Sequence, residues 1–339
     1  MESLDAGGCK FKLRNRGWQS NRMCSTPVFP CRQEQRLEVA EAPLDGTYEE
    51  QRLATRAEFV EVADFMTRQQ WVFRGHDRAE WPLQTSLERE FPGDRARDAE
   101  RLTLWQFVRR APQLLPPHLI PHDNDAAAWL GLIQHYGGPT RFLDVTRSPY
   151  IALFFAFEPS GESERVVWAI NDASCALACA AIMTGNERTS IELTFGRVSG
   201  AQMHLVYSLV HSRYPDKLFE SFVPFTGVFP VDPWKPDARQ AAQQALFLCV
   251  ANPTLSFAEN LPANSGAPRD LRRFVLPASL REEALCRLST MNVTAATLFP
   301  DLDGLARSLR THPLRPSVLA DPPPWKIRSA ATQSRGTPT

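Results

Sequence analysis

Short apolar runs alternate irregularly with longer amphipathic stretches from Trp71 onward, and this alternation most constrains how the chain folds. Trp71-Val72-Phe73, ended by Gly75, reads as a short strand. Thr140–Thr146, Glu164–Asn171, Thr226–Val231, Ala245–Val250 and Arg272–Leu276 read as extended segments of the same kind. Helical spacing is seen over Glu49–Arg68, Asp98–Arg110, Asp125–Tyr136, Ser174–Thr184, Leu205–Ser212, Asp237–Gln243, Ala278–Ser289 and Leu302–Leu309. Another helix starts at Ser148-Pro149, with proline in the first turn, where its missing N–H costs nothing. Strands and helices follow no regular βα repeat, so the pattern predicts an α+β fold rather than a doubly wound sheet. Trp81-Pro82-Leu83-Gln84 is expected to be extended, and Asn252–Pro268 is expected to be a loop.

Polar residues concentrate at the ends of these strands. Phe73-Arg74-Gly75-His76 closes the first. Arg74 is a fork-shaped cation next to open backbone, a combination that suits a phosphate or carboxylate. Gly75 either turns the chain or lets a ligand approach the backbone closely. His76 and Asp77 reach the pocket or sit in a solvated turn. A second block runs Gln134-His135-Tyr136-Gly137-Gly138-Pro139-Thr140-Arg141-Phe142-Leu143-Asp144-Val145-Thr146. His135 either bonds the last helix carbonyls or contacts a ligand. Tyr136 stacks on a ligand ring or packs in the core. Thr140 and Arg141 face the ligand, or Arg141 pairs with an acid. Asp144 is the acid of this block and serves the ligand or holds the strand end. Thr146 donates into the cleft or is an ordinary strand residue.

The charge balance is neutral, with 38 basic and 38 acidic residues, which argues against a dedicated nucleic-acid binder while leaving a local basic cleft open. Residues 1–32 carry six basic and two acidic side chains, so residues 1–46 read as a flexible basic extension able to tether a nucleic acid. Residues 311–339 read as a Pro- and Ser-rich disordered tail, with the domain between. The apolar runs Tyr150–Phe157 and Cys175–Met183 are too short to span a bilayer. Seven cysteines without a CxxC pair give no disulfide framework and no zinc pattern, and point to reduced thiols in a cytoplasm.

Phe73–Gly75, the Gln134–Thr146 block, Ser148-Pro149 with Ala152-Leu153-Phe154-Phe155-Ala156, Arg239 with Gln243-Gln244 and Phe247, and Leu298–Ala306 together resemble the FRG domain. The resemblance spans roughly Phe59 to Leu309. That family is regarded as a divergent relative of the ADP-ribosyltransferase fold. The resemblance implies a split, bent mixed sheet with surrounding helices and NAD held in the cleft. It implies that Arg74, Gly75, His135, Tyr136, Thr140 and Arg141 bind cofactor, and that Asp144, Thr146 and Gln244 serve catalysis. Gln243 or Gln244 stands where such enzymes carry a strand glutamate, and Ala245 stands where the family usually shows glycine. The implied reaction is cleavage of the nicotinamide–ribose bond, with ADP-ribose passed to a macromolecule or to water. Its oxocarbenium-like transition state needs negative charge nearby. The alternatives are a non-catalytic nucleotide sensor and a protein-interaction module.

Overall fold

The backbone groups of buried segments must pair, and among the described residues the strands meet this by joining in a seven-stranded mixed sheet. The computed structural model describes residues 48–66, 71–122, 125–176, 226–232, 236–261 and 271–311, all within the unit Val39–Thr339. The strands are β1 (Glu49–Arg52), β2 (Trp71–His76), β3 (Phe142–Thr146), β4 (Arg165–Asn171), β5 (Val228–Val231), β6 (Ala245–Val250) and β7 (Leu271–Leu276). Their order is β1-β7-β4-β2-β3-β6-β5. The β1–β7 pair is parallel and the other pairs are antiparallel. The α+β class expected from sequence is therefore observed.

Around the sheet run α1 (Arg56–Met66), α2 (Ser86–Glu90), α3 (Arg95–Arg110), α4 (Ala126–His135) and α5 (Pro149–Phe157). Then follow α6 (Ala238–Ala242), α7 (Phe257–Asn260), α8 (Arg281–Thr290), α9 (Ala295–Leu298) and α10 (Leu302–Ser308). Seven of the nine residues of α5 are buried, as expected of a helix that is apolar all round. It lies on β2 and β4 with Phe73, Val167, Ala169 and Phe274, and α1, α8 and α9 close that cluster. Each large side chain so buried contributes about 1.5–3 kcal/mol. A second cluster joins Leu130 and Ile133 of α4 to Phe142, Phe247 and Cys249. On the opposite face Val72, Leu143, Val145, Trp168, Leu246 and Leu248 form a third.

Several expectations are corrected. Glu49–Arg52 is a strand, not the first turn of a helix: Glu50 pairs with Arg273 and Glu49 with Arg272, so the edge is held by charge and carries no apolar signal. Gly75 does not end β2, which continues to His76 paired against Val166. The Asn252–Pro268 loop contains α7, and α2 and α9 are further short helices that apolar spacing did not announce. Each of these three starts in a capping box, Thr85 with Glu88, Ser256 with Glu259, and Thr294 with Thr297. The helix expected over Ser174–Thr184 is described only as far as Ala176, and the one expected over Leu205–Ser212 lies outside the described residues.

Candidate functional site

The chemistry gathers where two neighbouring strands are least paired. β2 pairs with β4 along its whole length, from Trp71 with Asn171 to His76 with Val166. On its other side Phe73 pairs with Thr146 and no further rung forms. Past that rung β2 and β3 part, and the Arg74 guanidinium bridges them: its Nη1 donates to the Asp144 carbonyl at 2.6 Å. The side chain thus takes the place of a missing ladder bond. Pleating puts Arg74 and His76 on the face of Val72, whereas Asp144 shares the face of Phe142. Cation and carboxylate start from opposite faces and approach in the gap, with Nη1 3.9 Å from Asp144 Oδ2.

Asp144 is exposed, its side chain 54% accessible, and its Oδ2 accepts from Gln134 Nε2 at 2.7 Å. Gln134 in turn accepts from the Thr140 hydroxyl through Oε1. Thr140 is fully buried, and its N–H donates to Ser86 Oγ at 3.0 Å. A relay of hydrogen bonds therefore runs Ser86–Thr140–Gln134–Asp144 to the gap. Arg74 Nε donates to His76 Nε2 at 2.9 Å, which extends the relay to the other side. Among the described residues Arg74 Nη2 makes no hydrogen bond. Burial lowers the Arg74 pKa, Asp144 opposes that shift, and Arg89 adds to it. Burial also pushes the His76 imidazole down to about 3, with Arg74 acting in the same direction.

The other residues named from sequence are placed as follows. Gly75 has its Cα turned to α5, where a Cβ would sit 1.9 Å from the Ala152 carbonyl, so helix packing alone requires the glycine. Arg141 is buried and spends its fork on Glu100 Oε1 at 2.7 Å and on the Ala251 carbonyl at 3.2 Å. Thr146 is buried, donates to the Gln243 carbonyl at 2.7 Å, and accepts from Ser148 N–H at 3.1 Å. Gln243 is buried and donates to the Leu298 carbonyl at 3.0 Å. Gln244 is exposed in a left-handed turn, φ 47°, at the start of β6. His135 Nδ1 lies 3.1 Å from Asp237 Oδ2, and the exposed Tyr136 ring meets the imidazole edge-on at 4.9 Å.

The structure thus brings Arg74, Asp144 and Thr140 into one hydrogen-bonded group and adds Gln134 and His76, to which sequence reading gave no firm role. Gln134 was signalled by its place one residue before the end of α4. A small cavity lined by Phe154, Leu285, Cys286, Ser289, Val293, Thr294 and Thr311 shares no residue with this group. Its hydroxyls are already bonded within their own turns. Among the described residues no cluster of His, Cys, Asp or Glu has the makings of a metal site, and no helix is long and apolar enough to cross a membrane.

Residues 69–165 match the FRG domain family, and the chain contains an FRG domain. That span holds β2, β3, α5, Arg74, Gln134 and Asp144. No curated protein and no solved structure matches the chain.

Proposed function

We propose that the gap between β2 and β3 binds a phosphate-bearing nucleotide, with NAD or ADP-ribose as the ligand. The observation that carries this reading is the half-committed fork of Arg74. Nε and Nη1 are spent on protein acceptors, while Nη2 of this partly exposed side chain is left to pair with an oxyanion in the strand gap. Asp144 supplies an acceptor for a ribose hydroxyl a few ångströms away. Thr140 and Gln134 hold that carboxylate in place. Arg141 is committed to Glu100, so the ligand-facing cation of this reading is Arg74.

A second reading is turnover, with cleavage of the nicotinamide–ribose bond and passage of ADP-ribose to a macromolecule or to water. The accessible Asp144 carboxylate favours it, because its negative charge stabilises positive charge developing on a departing sugar. The β6 end works against it. Gln243 is buried and bonded, Gln244 is an exposed turn residue, and neither brings a second carboxylate. Binding without chemistry therefore stands first.

Wild type, Arg74→Ala and Asp144→Ala are to be compared for melting temperature and nicotinamide release with NAD, and for melting temperature with ADP-ribose. A ligand at about a hundred times its Kd stabilises by about 2.7 kcal/mol, a shift that a melting curve resolves. The expected result is stabilisation of wild type that Arg74→Ala abolishes. Release lost in Asp144→Ala, with stabilisation kept, would establish turnover. No stabilisation of wild type by either compound would overturn the nucleotide reading.

A further inference from the structure

Resting on the reading of Arg74 as the ligand-binding cation, we propose that His76 is its positioning residue. The His76 Nε2 accepts the Arg74 Nε–H at 2.9 Å and fixes the guanidinium while Nη1 spans to the Asp144 carbonyl. Two of the three nitrogens are pinned from opposite sides, and the third is presented to the ligand in one orientation. A guanidinium held this way loses less rotamer freedom when it binds, so affinity comes from preorganisation rather than from an added contact.

The geometry requires a particular state of the imidazole. Because Nε2 accepts, it carries no proton, and the proton of the neutral ring is on Nδ1. A protonated ring would lose the acceptor and place a second cation against Arg74. The surroundings enforce neutrality. His76 is 8% exposed, at the end of a strand held rung by rung to β4. Trp81 walls it edge-on at 6.2 Å. The charged groups acting on it are Arg74 from its own strand and Arg273 from β7, both cationic. The Trp81 backbone acts the other way and favours the proton, but burial and Arg74 outweigh it, and Nδ1 completes no hydrogen bond. The orientation of Arg74 is therefore insensitive to pH across the range in which an ordinary histidine titrates.

Two measurements on the full chain test this. Long-range proton–nitrogen correlation of the His76 ring should show the neutral Nδ1–H form unchanged between about pH 5 and 8, whereas an imidazolium appearing near the ordinary value of about 6.5 would overturn the assignment. Calorimetric titration with ADP-ribose should give equal affinity for wild type at both ends of that range. His76→Leu should weaken binding about tenfold, which is about 1.4 kcal/mol, and His76→Gln, whose amide oxygen also accepts, should recover most of it. A His76→Leu affinity equal to wild type, with Arg74→Ala binding lost, would sink the role of His76 and leave the nucleotide reading intact. Absence of ADP-ribose binding by wild type would remove the nucleotide reading and this inference with it.

Discussion

Arg74 and Gly75 are neighbours with opposite duties. Pleating turns Arg74 toward the strand gap and Gly75 toward α5, so one residue is available to a ligand while the next is required by packing. A methyl at position 75 would fall 1.9 Å from the Ala152 carbonyl and 2.8 Å from the Ala156 nitrogen. Both neighbours are helix backbone and move only with α5 as a whole. Gly75→Ala is expected to destabilise the fold by about 1–3 kcal/mol, read as a lower urea midpoint with an unchanged slope. A midpoint equal to wild type would show that α5 has room to retreat. Sequence reading set turn against ligand approach for this glycine. The third possibility, close packing of a helix, depends on which element lies above the strand, and one chain read alone does not contain that. The same is true of Arg141. Its type suits a phosphate, but Glu100, far off in sequence on α3, takes the fork in a buried pair.

Among elements, the end of α4 aligns the acid. Gly137 adopts φ 80° and donates to the Gln134 carbonyl at 3.0 Å, while Gly138 N–H reaches the Ile133 carbonyl at 2.9 Å. This is a Schellman termination, with glycine where the backbone turns left-handed. It stops the helix just after Gln134 and returns the chain to Thr140, so both partners of the Gln134 side chain lie within reach. Gly137→Ala is expected to cost about 1 kcal/mol through the left-handed penalty. It should also weaken nucleotide-dependent stabilisation more than a remote change of equal cost, which melting curves with and without ADP-ribose compare. The stop at Gly137-Gly138-Pro139 and the start at Ser148-Pro149 were legible because caps are written in local residue types. β6 was legible from its apolar run. β1 was not, since a strand of Glu49-Glu50-Gln51-Arg52 is stabilised by ion pairs with β7 that appear only after the sheet assembles. The short helices α2, α7 and α9 carry too little periodicity to notice, although their capping boxes were there to be read.

At the level of the whole molecule, the depressed His76 imidazole ties stability to pH. The ring is neutral in the fold down to about 3, whereas the unfolded chain takes up a proton near the ordinary value. Below about pH 6.5 the unfolded state therefore binds more protons, and stability falls as pH falls. From pH 7 to pH 5 this group alone removes about 2 kcal/mol. Urea titrations of wild type and His76→Gln at the two pH values should show the acid-side loss reduced by about that amount in the variant. Equal losses would assign the effect to other groups. The strand order has a consequence of another kind. The span that matches the FRG family supplies β2 and β3, but β6 and β7, which flank β3 and β4 in the sheet, both come from later in the chain. As the protein leaves the ribosome, β2 can pair with β3 and β4 as they appear, but β1 must wait for β7 to emerge before it has a neighbour among the described strands, and α5 stays partly uncovered until α8 and α9 follow. The strand that waits longest for its partner is thus the charged β1, which stays soluble unpaired, while the apolar α5 of the family span is the surface a chaperone would shield during synthesis.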